Sequence, residues 1–270
     1  MSTRWFELCG PPEPTGIVVC LPYAGGSGRA FRAWRGHLPP GWALALVDLP
    51  GHGRRMDEPC LHSADAVLAG LLAAVAELPA ARRVVFGYSL GGRLAFELAH
   101  RLAEVGSRPD GLVVCMSRAP QTGIGHPPLS HLPPGRPFLE QAVEFGLADP
   151  WLLDGAPADV APLADALQAD LRIVETFGYR GRPPLAVPAC VIGADGDWLV
   201  PEPALRGWDE LCRPRPLHLR VSGGHLAVHR SPDAVMRAVC TAIGHIQRPA
   251  VPAAAQAGTP ARGDHDGGMP

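Results

Sequence analysis

Lysine is absent from this sequence, so all 24 residues counted as Lys or Arg are arginine, in a chain of 270. Set against 26 acidic residues they leave a formal charge of -2, too balanced for the broad cationic field that draws proteins to nucleic acid regardless of base sequence. Long apolar runs are missing too. The longest, residues 66–76, is closed by Asp65 and Glu77 and falls short of the roughly 20 apolar residues a membrane-crossing helix needs. The opening Met1-Ser2-Thr3-Arg4-Trp5-Phe6-Glu7 lacks the apolar centre of a secretory signal. The expectation is a cytoplasmic chain without membrane contact. Its cysteines, Cys9, Cys20, Cys60, Cys115, Cys190, Cys212 and Cys240, are odd in number and never spaced Cys-x-x-Cys, which speaks against a disulfide framework or a thiolate zinc site.

What is present is the material of a core: 47% of residues are hydrophobic and 19% charged, the balance of a globular protein. Short apolar runs at residues 16–21, 43–49, 83–88, 111–116, 189–192 and 217–221 read as strands. Between them, residues 63–78, 90–104, 202–211 and 231–246 read as helices with apolar faces. That alternation predicts an α/β fold, a mostly parallel sheet flanked by helices. Ser63 and Ser231 stand where N-caps are wanted, with Pro232 at a first-turn position that tolerates a missing N–H.

One connection is too long. About 70 residues separate the fourth predicted strand from the fifth, where a crossover of a dozen or so would do. Its apolar clusters, Phe138, Leu139, Val143 and Phe145, then Leu163, Leu167, Leu171 and Val174, predict a helical insertion capping the carboxyl edge of the sheet, the edge where such folds bind ligands. Beyond residue 247 the chain is rich in Ala, Pro and Gly without periodicity, and disorder is expected over 248–270.

Gly87-Tyr88-Ser89-Leu90-Gly91 matches G-x-S-x-G. In a glycine-rich chain the pentapeptide alone is weak; its place between a buried strand and a helix strengthens it. A strand turning sharply into a helix needs flanking glycines and presents the central serine at the helix N-terminus, where partial positive charge favours an oxyanion. Serine is a poor nucleophile without a base, and the base needs an orienting acid. His225, in Ser222-Gly223-Gly224-His225 after the last predicted strand, is the candidate base. For the acid, Asp195 and Asp197 both follow the fifth strand; Asp197 is preferred, since Leu199-Val200-Pro201 closes the turn soon after it, leaving Asp195 to brace the loop. His229 makes a His-x-x-x-His pair with His225, but the glutamate of H-E-x-x-H is missing, so no metal is expected. The remaining histidines, His52, His100 and His245 among them, read as surface or structural residues. The backbone N–H of Leu90 and that of Ala24, in the loop Pro22-Tyr23-Ala24-Gly25-Gly26-Ser27-Gly28, are the candidate oxyanion hole.

With these residues placed, the chain resembles the α/β-hydrolase superfamily, and within it the type II thioesterases of polyketide and nonribosomal peptide assembly lines. Leu21-Pro22-Tyr23-Ala24-Gly25-Gly26, Leu49-Pro50-Gly51 with Arg54-Arg55, Ser117-Arg118-Ala119-Pro120, Ala166-Leu167-Gln168-Ala169-Asp170 and Gly224-His225 occur in that family's order. Departures are Tyr88 where the family usually has His, Trp198 where Pro commonly follows the acid, and Leu226-Ala227 where aromatics often follow the histidine. The resemblance implies one thioesterase domain over residues 1–247 with a helical lid inserted at about 126–178. It implies Ser89, His225 and Asp197 as catalytic residues, and hydrolysis of acyl thioesters from carrier-protein partners. The chain would need no cofactor of its own, because the substrate rides on the partner's phosphopantetheine. Nothing in the sequence demands more than a monomer. Two other assignments use the same residues: a carboxylesterase acting on oxygen esters, and a catalytically silent hydrolase fold that binds acyl carriers.

Overall fold

The computed structural model describes residues 4–79 and 81–248; past its first residue, the expected disordered tail lies outside them. Seven strands form one sheet: β1 (Phe6–Cys9), β2 (Gly16–Leu21), β3 (Trp42–Val47), β4 (Arg82–Tyr88), β5 (Gly111–Cys115), β6 (Ala189–Ala194) and β7 (Leu217–Val221). Their order is β1-β3-β2-β4-β5-β6-β7, with only β1 antiparallel to its neighbour. The sequence reading missed β1, a short edge strand whose middle residues Glu7 and Leu8 are only partly buried and so carry little apolar signal.

Period-two alternation sends Ile17, Val19 and Leu21 of β2 into one core and Val18 and Cys20 into the other. On the first face lie α1 (Ala64–Ala76) and α2 (Leu90–Glu104). On the second, α8 (Pro232–Gln247) packs Val235, Val239, Ile243 and Ile246 beside Phe31 and Trp34 of a 3-10 segment, each such buried side chain contributing about 1.5–3 kcal/mol. Ser63 and Ser231 do occupy the N-cap positions of α1 and α8, but neither hydroxyl makes the capping hydrogen bond. The single helix expected over 202–211 is two short ones, α5 (Glu202–Arg206) and α6 (Trp208–Leu211), parted at Gly207, where a Cβ would come within 2.8 Å of the Ala119 side chain. A four-residue helix, α7 (Ala227–Arg230), precedes α8.

The long connection between β5 and β6 holds α3 (Arg136–Glu144) and α4 (Pro157–Thr176). These pack around a third apolar cluster of their own, with Leu129, Phe138, Leu139, Val160, Leu167 and Leu171 buried in it. The chain runs from β2 outward to β3 and then returns to place β4 on the other side of β2. The loops leaving β2 and β4 therefore diverge at the carboxyl edge, which opens the crevice where open α/β sheets hold their ligands.

Candidate active site

Ser89 joins β4 to α2 with φ 52° and ψ -113°, a left-handed backbone that costs an L residue on the order of 1–3 kcal/mol and persists only where its surroundings enforce it. The enforcement is visible. A Cβ on Gly87 would lie 2.0 Å from the Gly91 carbonyl oxygen, and one on Gly91 would lie 2.3 Å from that of Leu21; glycine at both positions lets three backbones meet. The Ser89 N–H donates to the Cys115 carbonyl at the end of β5, at 2.9 Å. Ser89 is thus pinned at the positive end of a 15-residue helix.

The loops after β6 and β7 supply the rest. His225 Nε2 lies 2.9 Å from Ser89 Oγ, and its Nδ1 lies 2.9 Å from Asp197 Oδ2. Asp197 has no exposed side-chain surface, and its other oxygen accepts the N–H groups of Leu199 and Val200 at 3.1 and 3.2 Å. With the carboxylate on Nδ1, the neutral ring keeps its proton there and offers Nε2 to the serine hydroxyl. Asp195 points elsewhere: its carboxylate accepts from Arg220 at 3.0 Å and its N–H donates to Val221, bracing β6 against β7.

Tyr88, fully buried, donates its hydroxyl proton to the His225 carbonyl at 2.6 Å and accepts the Val228 N–H at 3.3 Å. Burial pushes the phenol well above its ordinary pKa, so it remains a donor across the working range. Beside it, Tyr23 meets His229 Nε2 at 2.6 Å, which occupies the second histidine of the His-x-x-x-His pair.

Ala24 and Leu90 both line the pocket that holds Ser89 and His225. The loop carrying Ala24 is tied to the insertion, since the next residue, Gly25, donates its N–H to Asp170 on α4 at 2.8 Å. Asp170 is 2% exposed and sits 3.0 Å from His52 Nε2, which is 3% exposed. The pair is at ion-pair distance without hydrogen-bond alignment. Burial alone would lower the His52 pKa, but the Asp170 charge and the Pro50 carbonyl outweigh it and raise the pKa. Reading residues one at a time missed this couple, because His52 and Asp170 lie far apart in the chain and neither sits in a catalytic motif; the signal was present only in the two segments of the family pattern that contain Pro50 and Asp170.

The same pocket is lined by Arg93 and Arg118, neither of which sequence reasoning placed there. It is narrow, a cavity of about 40 Å³. Past Ala24 an apolar groove of about 280 Å³ runs between Tyr23, Trp151, Leu152, Leu163, Leu167 and Leu226.

A serine on a strained strand-to-helix turn, a histidine and a buried aspartate, carried in that order by the loops after β4, β7 and β6 of a mostly parallel sheet, make this an α/β-hydrolase fold with a serine nucleophile site. Residues 16–243 match the family model described as a thioesterase domain, and the chain belongs to that family. It is 32% identical over 228 residues to thioesterase PikA5 of Streptomyces venezuelae, a match covering 83% of this chain and 80% of that one. It is 33% identical over 222 residues to the antimetabolite synthetase AmbE of Pseudomonas aeruginosa, covering 82% of this chain but 10% of AmbE. Among solved structures, the type II thioesterase BorB from the borrelidin biosynthetic cluster superposes with a TM-score of 0.76 at 25% identity, over 90% of this chain and 99% of that one. No helix among the described residues is long and apolar enough to cross a membrane.

Proposed function

We propose that this thioesterase releases acyl groups from the phosphopantetheine arms of acyl or peptidyl carrier proteins serving a polyketide or nonribosomal peptide assembly line. The observation that carries the chemistry is the unbroken relay from Asp197 through His225 to Ser89, at 2.9 Å on both links. His225 takes the Ser89 proton as Oγ attacks the thioester carbonyl. The Ala24 and Leu90 N–H groups hold the oxyanion, and Asp197 stabilises the imidazolium. Collapse expels the thiol, whose pKa near 8.5 lets it leave with little acid assistance; water activated by His225 then clears the acyl-enzyme. The cycle uses no metal or cofactor belonging to this chain. The insertion over residues 126–178 acts as the lid, with α4 as its fixed wall.

The carrier-protein assignment draws support from BorB, a type II thioesterase of a biosynthetic cluster. The test pairs an acyl-loaded carrier protein with an oxygen ester of the same acyl group. Turnover of the thioester at least tenfold above the ester supports the assignment; equal or faster ester cleavage identifies a carboxylesterase instead.

A further inference from the structure

Two arginines on the described residues rank as buried, Arg55 and Arg93. Arg55 is neutralised, forking onto both oxygens of Glu58 at 2.9 and 2.7 Å. Arg93 is 4% exposed and has no carboxylate partner among the described residues; its guanidinium donates to the carbonyl of Gly123. Arg118, half-buried beside it, also meets no carboxylate, placing three of its five N–H groups on the neutral carbonyls of Gly123, Thr122 and Leu199 at 3.3, 2.9 and 2.8 Å. The carboxylate whose charge reaches Arg118 is Asp197, already committed to His225 and two backbone N–H groups.

Burying a cation without a counter-charge is costly. The strain registers on Arg93, whose pKa burial lowers to about 10, with the neighbouring Arg118 charge adding to the effect. An anion arriving with the substrate would supply the counter-charge that neither the Gly123 carbonyl nor the Phe177 ring, 6.0 Å from the guanidinium, provides. Arg93 is four residues beyond Ser89 on α2, hence one turn away on the same helix face, and both residues line the narrow pocket. An anion held there lies within a few bonds of the scissile carbonyl. The phosphate of a pantetheine arm does not fit that requirement, because two amide units separate it from the sulfur. A carboxylate on the acyl group itself does.

We propose that the pocket selects acyl groups that end in a carboxylate, short dicarboxylic half-thioesters of the malonyl or succinyl class, with Arg93 and Arg118 receiving the terminal carboxylate. This rests on the thioesterase assignment above. Arginine offers a planar fork matched to a carboxylate, and the pocket beside Ser89 is tighter than the neighbouring apolar groove, about 40 against about 280 Å³. The apolar groove past Ala24 is the competing destination for an uncharged chain.

The experiment compares hydrolysis of the malonyl and butyryl thioesters of N-acetylcysteamine, close in length and differing in charge, by the wild-type protein. A hydrogen bond to a charged group is worth roughly one to two orders of magnitude, so kcat/KM for malonyl should exceed that for butyryl by tenfold or more. In Arg93→Gln that ratio should fall at least tenfold, and Arg93→Lys should restore part of it. A wild-type ratio of one or below overturns the proposal and assigns the acyl chain to the apolar groove. Calorimetric titration of Ser89→Ala with the malonyl thioester reads the anion site without turnover. Binding there that Arg93→Gln removes, in a wild-type protein that hydrolyses neither thioester, would uphold the anion site while rejecting the thioesterase assignment. No binding and no preference reject the anion site alone.

Discussion

Asp170, on the second helix of the insertion, accepts the N–H of Gly25 at 2.8 Å, one residue beyond the Ala24 N–H assigned to the oxyanion. The helix that contributes Leu171 and Val174 to the pocket wall and the loop proposed to hold the oxyanion are thereby joined through one buried carboxylate. Asp170→Asn should keep the shape but weaken that anchor, lowering kcat about tenfold with little change in KM, since a donor misplaced in an oxyanion hole acts on the transition state. A variant in which KM alone rises would place Asp170 in substrate binding instead.

The same pair gives a pH signature. The His52 pKa is raised in the fold above the roughly 6.5 of an unfolded imidazole, so its pairing with Asp170 stabilises the protein fully below that unfolded value and is lost as pH rises through the raised one. Breaking a buried pair costs about 3–5 kcal/mol. The Tm gap between wild type and Asp170→Asn should be wider near pH 6 than near pH 9; a gap that grows with pH contradicts the pairing.

Tyr88→Phe removes the donor that holds the His225 carbonyl at 2.6 Å and leaves the Val228 N–H without its acceptor. Stability should fall by about 1–3 kcal/mol. A kcat loss of roughly tenfold should accompany it, because the imidazole is positioned through its own backbone. Thermal unfolding and steady-state kinetics on one preparation check both.

Gly91→Ala places a Cβ 2.3 Å from the Leu21 carbonyl oxygen and 2.6 Å from that of Pro22. Both contacts are backbone and neither can swing aside. The turn must open, at a cost of at least about 1–3 kcal/mol, and the Ser89–His225 contact should be lost with it. Near-normal activity in Gly91→Ala would show that the nucleophile turn tolerates a side chain there.

Asp197→Asn should lower kcat by about a thousandfold or more, as the imidazole loses its tautomer and its counter-charge. Asp195→Asn, which removes only the charge from the brace to Arg220, should cost less than tenfold. Reversal of the two would move the acid to Asp195.

The central strands were legible because they are buried on both faces, and β2, β4 and β5 are near-continuous apolar runs. Ser89 and Asp197 were legible because each stands just past such a run, and His225 because it follows β7, where Leu217, Leu219 and Val221 alternate with His218 and Arg220. Strand β1 was not, because it is only four residues long and its middle pair, Glu7 and Leu8, is partly buried. The His52–Asp170 couple and the Arg93–Arg118 pair were not legible from either partner alone: they arise from α2, α4 and the loops after β3 and β5 converging over the sheet, and no periodicity announces that. The absent hydroxyl caps at Ser63 and Ser231 show the opposite error, a position read correctly and a hydrogen bond that does not form there.

Intact-protein mass spectrometry of an acyl-loaded carrier protein, before and after exposure to this enzyme and to Ser89→Ala, tests the account most directly. The account predicts that the wild type returns the carrier to its free-thiol mass, passing through an acyl adduct on the peptide containing Ser89, whereas Ser89→Ala leaves the carrier loaded with turnover reduced by about ten-thousandfold or more. A carrier stripped equally fast by both proteins would contradict it.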